Sequence, residues 1–246
     1  MTARNAFLSA LLALCPAHAL FAGETTVVIK TPDGCALEAF FLAPSSGSFV
    51  FINSHGLGSD KNEWRAFDAA LGKAGLGYLS LDLRGHGSSL KCGGKRTDYR
   101  NFTAEGWQLL SRDIKAAAAF LKTRKIPARK LVLCGASIGA NLSVKAASEG
   151  TAPAGLVLLS PGRAYAGVTI GDDFFAGHKA RFFIAAAPDD PYAWQSSRYL
   201  AALLPKDKEL RGIFRAGPSG HGVNMFSAPG SSLIGDILEW VKRLPK

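Results

Sequence analysis

The sequence predicts an α/β fold, a doubly wound, mostly parallel sheet of eight strands with helices on both faces. Three observations carry that reading. Short apolar runs of strand length alternate with longer segments of helical periodicity from residue 25 onward. One such run, Lys130–Cys134, passes directly into Gly135-Ala136-Ser137-Ile138-Gly139 and then into a helix-like stretch, the strand–turn–helix setting in which G-x-S-x-G acquires meaning. Finally, His55, Asp82, Ser137, Asp190 and His221 fall at or just after the C-terminal ends of different predicted strands, the edge where a parallel sheet collects its ligands.

Taken in order, Thr25–Lys30 and Glu38–Leu42 form two opening strands turned by Pro32-Asp33-Gly34. Phe49–Asn53 is a buried strand ending at Ser54-His55-Gly56. Residues 62–74 place Trp64, Phe67, Ala70, Leu71 and Ala74 near helical spacing, and Gly75 and Gly77 close that helix. Tyr78–Leu81 is the next strand and delivers Asp82-Leu83-Arg84-Gly85-His86-Gly87. Trp107–Lys122 reads as one helix, followed by the strand before Ser137 and the helix Ile138–Ala147. Leu156–Leu159 is a strand stopping at Ser160-Pro161-Gly162, and Arg181–Ala186 another, stopping at Pro188-Asp189-Asp190-Pro191. A helix over Gln195–Leu204, a strand over Arg211–Arg215, the loop Gly220-His221-Gly222 and an amphipathic helix over Ser231–Leu244 complete the chain.

At 246 residues with 48% apolar content, the chain can bury a sizeable core, and residues 23–246 are expected to form a single domain. Residues 1–22 read as a secretory signal: Arg4 opens it, Ala6–Leu14 is its apolar region, and Ala17-His18-Ala19 offers a cleavage site, with Ala22 as a second end. Leu12-Ala13-Leu14-Cys15 is similar to a bacterial lipobox, which makes Cys15 an alternative lipid anchor, although Leu14 stands where a small residue is usual. The protein is therefore expected to be exported, periplasmic or extracellular. No segment reaches a membrane-spanning length of uninterrupted apolar residues. The formal charge of +10 is scattered in small groups around no recognisable nucleic-acid module, so nucleic acid is not an expected partner. With the signal removed, Cys35, Cys92 and Cys134 remain. Cys35 and Cys92 can pair in an oxidising compartment, whereas Cys134 fits a buried strand end.

The chemistry follows from the sharp turn. It holds Ser137 in a strained conformation with its hydroxyl raised above the sheet, which makes Ser137 the candidate nucleophile. A serine hydroxyl needs a neutral imidazole within reach and a carboxylate behind that imidazole. His18 lies in the signal, His178 in a polar connection, and His55 and His86 in glycine-flanked turns upstream of the serine. His221, in its Gly-His-Gly loop after the last strand, is the candidate base. In the chain order Ser, Asp, His the acid belongs to the Asp189-Asp190 loop, with Asp190 chosen and Asp189 as the alternative. The oxyanion donors expected are the backbone N–H groups of Ile138 and Leu57, His55 bracing the latter's loop. The histidines show no short ligand spacing with Cys or acidic partners, so no metal is expected.

His55-Gly56-Leu57-Gly58-Ser59, Leu81-Asp82-Leu83-Arg84-Gly85-His86-Gly87-Ser88, Gly135-Ala136-Ser137-Ile138-Gly139, the Asp190 loop and Gly220-His221-Gly222 together resemble the α/β-hydrolase superfamily over residues 49–246. The resemblance implies cofactor-free hydrolysis through an acyl-serine, an architectural role for the Asp82–Gly87 turn, and a likeness to small bacterial esterases and dienelactone-hydrolase-like enzymes. A dienelactone hydrolase proper would carry Cys where this chain has Ser137. Two departures stand out. Ala187 replaces the usual glycine of the acid-bearing loop, and the connection from Pro161 to Ala180 is too short for a helical lid, so a loop over an open pocket is expected. Small or water-soluble esters are then the expected substrates. A peptidase or amidase on the same triad, and a non-catalytic binding member of the fold, are the competing readings.

Overall fold

The computed structural model describes residues 23–204 and 212–245. The expected signal segment and Cys15 lie outside the described residues, as does Arg211. The chain runs β1 (Thr25–Lys30), β2 (Cys35–Leu42), β3 (Val50–Ser54), α1 (Arg65–Lys73), β4 (Gly77–Leu81), β5 (Lys91–Cys92), β6 (Lys95–Arg96), α2 (Ala104–Gln108), α3 (Ser111–Thr123), β7 (Leu131–Ala136) and α4 (Ile138–Ser148). There follow β8 (Gly155–Leu159), β9 (Ala164–Tyr165), β10 (Val168–Thr169), α5 (Phe174–Gly177), β11 (Arg181–Ala186), α6 (Pro191–Ala202), β12 (Gly212–Ala216), α7 (Asn224–Ser227) and α8 (Leu233–Val241).

The main sheet runs β12-β11-β8-β7-β3-β4-β2, with β1 antiparallel beyond β2. From β4 to β12 every pairing is parallel, so the ends of β3, β4, β7, β8, β11 and β12 share one edge. Side chains alternate across it: Leu131 and Leu133 of β7 enter a core with α3, α4 and α6, while Val132, Cys134 and Ala136 enter a second core with α1 and α8.

Four differences from the sequence reading have local causes. Among the described residues the sheet has ten strands, because the two-residue β5 and β6 join the eight expected ones. They are folded by Gly93-Gly94, both at positive φ, the geometry of a tight hairpin turn. The expected helix over residues 107–122 is two helices: Thr103 caps α2, and Leu109 and Leu110 switch to i→i−3 bonds before α3 begins. α6 starts four residues earlier than expected because Pro191 occupies its first position and Asp190 caps it. The connection after β8 is not a plain loop but holds the β9–β10 hairpin and the one-turn α5.

Cys35 and Cys92 face each other across β2 and β5 and form a disulfide, while Cys134 is a buried free thiol. Among the described residues no helix is long and apolar enough to cross a membrane.

Candidate functional site

Ser137 sits between β7 and α4 at φ 55°, ψ −125°, a conformation that L-residues adopt only under constraint. The constraint is packing. A Cβ on Gly135 would lie 2.2 Å from the Gly139 carbonyl oxygen, and one on Gly139 would lie 2.1 Å from the Ser54 carbonyl oxygen. Strand, helix and the end of β3 therefore approach closer than any side chain permits. The Ser137 N–H is tied to the Leu159 carbonyl at 2.8 Å. Ile138 is the first residue of α4, so its N–H is one of the donors that a helix start leaves outside the internal ladder.

The loop after β3 passes directly over Ser137, since a Cβ on Gly56 would stand 3.6 Å from that of the serine. His55, fully buried, organises this loop. Its Nε2 accepts the Leu83 N–H at 3.1 Å, so the ring proton is on Nδ1, which donates to the Gly56 carbonyl at 2.8 Å. The Ser59 N–H grips the same carbonyl at 3.2 Å. That carbonyl and the Leu57 N–H are opposite ends of one trans peptide, so holding the oxygen turns the N–H the other way. Burial, reinforced by the neighbouring His86, depresses the His55 pKa to about 3, which keeps the ring neutral. His86 is itself held flat against Tyr99, with ring centres 4.1 Å apart.

Glu63, on the turn before α1, accepts the Gly56 N–H at 3.1 Å and lines the same cavity as Ser137. Burial pushes its carboxyl up to about 6. Asp82 receives the Lys61 N–H and ammonium, each at 2.7 Å, and the Ser88 N–H at 2.7 Å. Arg84 bridges Asp113 and Asp33. The charges of this turn thus brace loops and do not enter the cavity.

His221 is fixed from three sides. Its Nδ1 meets Asp190 Oδ2, the N–H of Gly220 points at both Asp189 carboxylate oxygens at 3.0 Å, and the Gly222 N–H donates to Ser160 Oγ at 2.9 Å. The two neighbouring acids therefore divide the work: Asp190 meets the ring and Asp189 the loop backbone. Asp190 also accepts the Ala193 N–H at 3.3 Å, since it caps α6. The His221 side chain remains 43% exposed, and with Ser137, Gly56, Leu57, Glu63 and Asn224 it lines a cavity of about 480 Å³. The larger cleft of about 690 Å³, between β1 and α3, contains none of these residues.

Glu63, Asn141, Ser160, Tyr165 and Tyr192 also surround the site, and the sequence pattern assigns none of them a role in its chemistry. The sequence signal for Ser160 is a polar residue at a strand end before Pro161, and in the structure its φ is 49°. His178, expected in a polar connection, instead packs on Phe174 with ring centres 4.9 Å apart. Among the described residues no group of three or more His, Cys, Asp or Glu is arranged to hold a metal ion.

Residues 49–241 match the family described as the alpha/beta hydrolase family. No curated protein matches the chain. Among solved structures, a dienelactone hydrolase from Anabaena variabilis is similar at 17% identity and TM-score 0.70, covering 91% of this chain and 98% of its own. An esterase from Pyrococcus furiosus is similar at 19% identity and TM-score 0.68, covering 90% of this chain and 91% of its own. An esterase from Thermogutta terrifontis is similar at 15% identity and TM-score 0.68, covering 89% of this chain and 98% of its own. At such identities the likeness is one of fold.

Proposed function

Since the chain belongs to the alpha/beta hydrolase family, we propose that it is a serine hydrolase that cleaves carboxylic esters of small or soluble acyl substrates through an acyl-Ser137 intermediate. The observation that carries the reading is the His221–Asp190 pair, braced at Gly220 and Gly222, opening onto the cavity that Ser137 lines.

In this mechanism His221 takes the Ser137 proton as the serine oxygen attacks the ester carbonyl, while Asp190 holds the imidazole tautomer and stabilises the imidazolium. The developing oxyanion is received by the N–H groups of Leu57 and Ile138. The proton then passes from His221 to the departing alcohol. Water, deprotonated by His221, attacks the acyl-serine, releasing the carboxylic acid and restoring the Ser137 hydroxyl. No cofactor takes part. The Cys35–Cys92 bridge supports an exported protein, periplasmic or extracellular, since such bonds persist in oxidising compartments.

A fluorophosphonate probe tests the assignment. The folded protein is expected to be labelled and to hydrolyse short-chain esters, and Ser137→Ala to lose both. Absence of labelling in the wild type, or labelling that survives Ser137→Ala, overturns it. Matched ester and amide substrates separate an esterase from an amidase on the same residues.

A further inference from the structure

The short β9–β10 hairpin is bolted down at several points. Fully buried Asn141 of α4 donates from Nδ2 to the Gly162 and Val168 carbonyls at 2.9 and 2.8 Å, and its Oδ1 accepts the Gly162 N–H at 3.2 Å. The Tyr192 hydroxyl, from α6, accepts the Ala164 N–H at 3.0 Å and donates to the Ala164 carbonyl at 2.7 Å. What this anchoring holds still is one ring. Tyr165 stands edge to face with the His221 imidazole, centres 6.3 Å apart and planes at 89°, and with Tyr192, centres 5.4 Å apart and planes at 71°. Its hydroxyl donates to the Ser160 carbonyl at 3.3 Å, one residue beyond Leu159, whose own carbonyl accepts the Ser137 N–H. Gly162 makes the arrangement possible, because a Cβ there would fall 2.6 Å from the Tyr165 ring and 2.8 Å from that of Tyr192.

A ring packed against the His221 imidazole stands beside the group that an ester on Ser137 has to approach. We propose that Tyr165 and Tyr192 form an aromatic subsite that selects esters carrying a flat aromatic ring a short chain away from the ester bond, an inference that rests on the reading of Ser137 as nucleophile. Tyr165 is already paired edge to face with two rings, and a substrate phenyl group extends the same cluster through its quadrupole. A cyclohexyl group fills similar space without one. Transfer from water favours the cyclohexyl group, which is the more apolar of the two, so a preference for phenyl isolates the ring interaction.

The experiment compares kcat/KM by pH-stat for ethyl 3-phenylpropanoate against ethyl 3-cyclohexylpropanoate. A second pair, 2-phenylethyl acetate against 2-cyclohexylethyl acetate, places the ring on the alcohol side. In one pair the wild type is expected to favour the phenyl ester by roughly 3- to 10-fold. Tyr165→Leu is expected to bring that ratio to about one, and Gly162→Ala, which keeps both rings but forces them apart, to lower it as well. Equal turnover in both wild-type pairs, or a phenyl preference undiminished in Tyr165→Leu, overturns the subsite while leaving the nucleophile assignment standing. Fluorophosphonate labelling of each variant establishes that it is folded with Ser137 reactive. A wild type that neither labels nor turns over any of the four esters brings down both readings.

Discussion

Ser160 is the most indirect support of the candidate base, and its removal has a calculable effect. The side chain is fully buried, and its Oγ is the acceptor for the N–H of Gly222, the residue after His221. Its backbone lies at φ 49°, where a side chain carries strain. Two substitutions separate these features. Ser160→Ala deletes the acceptor and keeps the strain, leaving a buried amide unpaired at a cost of about 1–3 kcal/mol. Ser160→Gly deletes the acceptor but sits in the αL region freely, recovering up to about 1 kcal/mol of that loss. If the hydroxyl positions His221, kcat falls about 10-fold or more in both variants, because a loop displaced by even 1 Å is costly to proton transfer. Urea unfolding and steady-state hydrolysis of a short-chain ester read the two effects separately. A glycine variant with wild-type kcat, beside an alanine variant whose activity loss follows its stability, would refute the positioning argument.

The division of labour between the two neighbouring acids is testable in the same assay. Asp190→Asn is expected to lower kcat by about 10³- to 10⁴-fold, whereas Asp189→Asn, which keeps an oxygen for the Gly220 N–H, is expected to lower it less than about 10-fold. Stability should carry the signature of Asp68, fully buried beside Asn53 and Ser80, whose carboxyl burial pushes up to about 8. The folded state keeps a proton that the unfolded state releases near pH 4, so stability falls as pH rises toward about 8, by at most about 1.4 kcal/mol per pH unit. Glu63 and Asp113, raised to about 6, add to the decline mainly below pH 7. Denaturation of Asp68→Asn against wild type should therefore give a difference that grows between about pH 6.5 and 8, and a constant difference would contradict the assignment. Reduction of the Cys35–Cys92 bridge, which closes a 57-residue separation, is expected to cost about 2–4 kcal/mol in a thermal or urea melt. An unchanged midpoint under reducing conditions would show that the bridge adds nothing.

Much of the architecture was legible because it is written in short-range periodicity. Each of the eight long strands is a local apolar run, and the turn at Ser137 announces itself through glycines four residues apart whose missing side chains let three backbones meet. The short strands have no sequence signature because two residues show no period, and the periodicity over residues 107–122 does not reveal the break between α2 and α3 because that break lies in backbone hydrogen bonding. The parallel edge that gathers His55, Asp82, Ser137, Asp190 and His221 followed from the same alternation of elements.

What surrounds those residues depends on which strands become neighbours. Asp189 and Asp190 are adjacent in sequence and similar in composition, and only the approach of a loop 31 residues away decides which carboxylate faces the ring and which the amide. Ser160 reaches Gly222 across 62 residues because the loops beyond β8, β11 and β12 converge at the same edge. Likewise Cys35 meets Cys92 through the register of β2 on β5, and Tyr165 meets His221 because a buried asparagine in α4 holds a six-residue hairpin in place. Periodicity along the chain specifies elements and the edge they share. Contacts between loops belong to the order and register of the sheet, which no local stretch encodes.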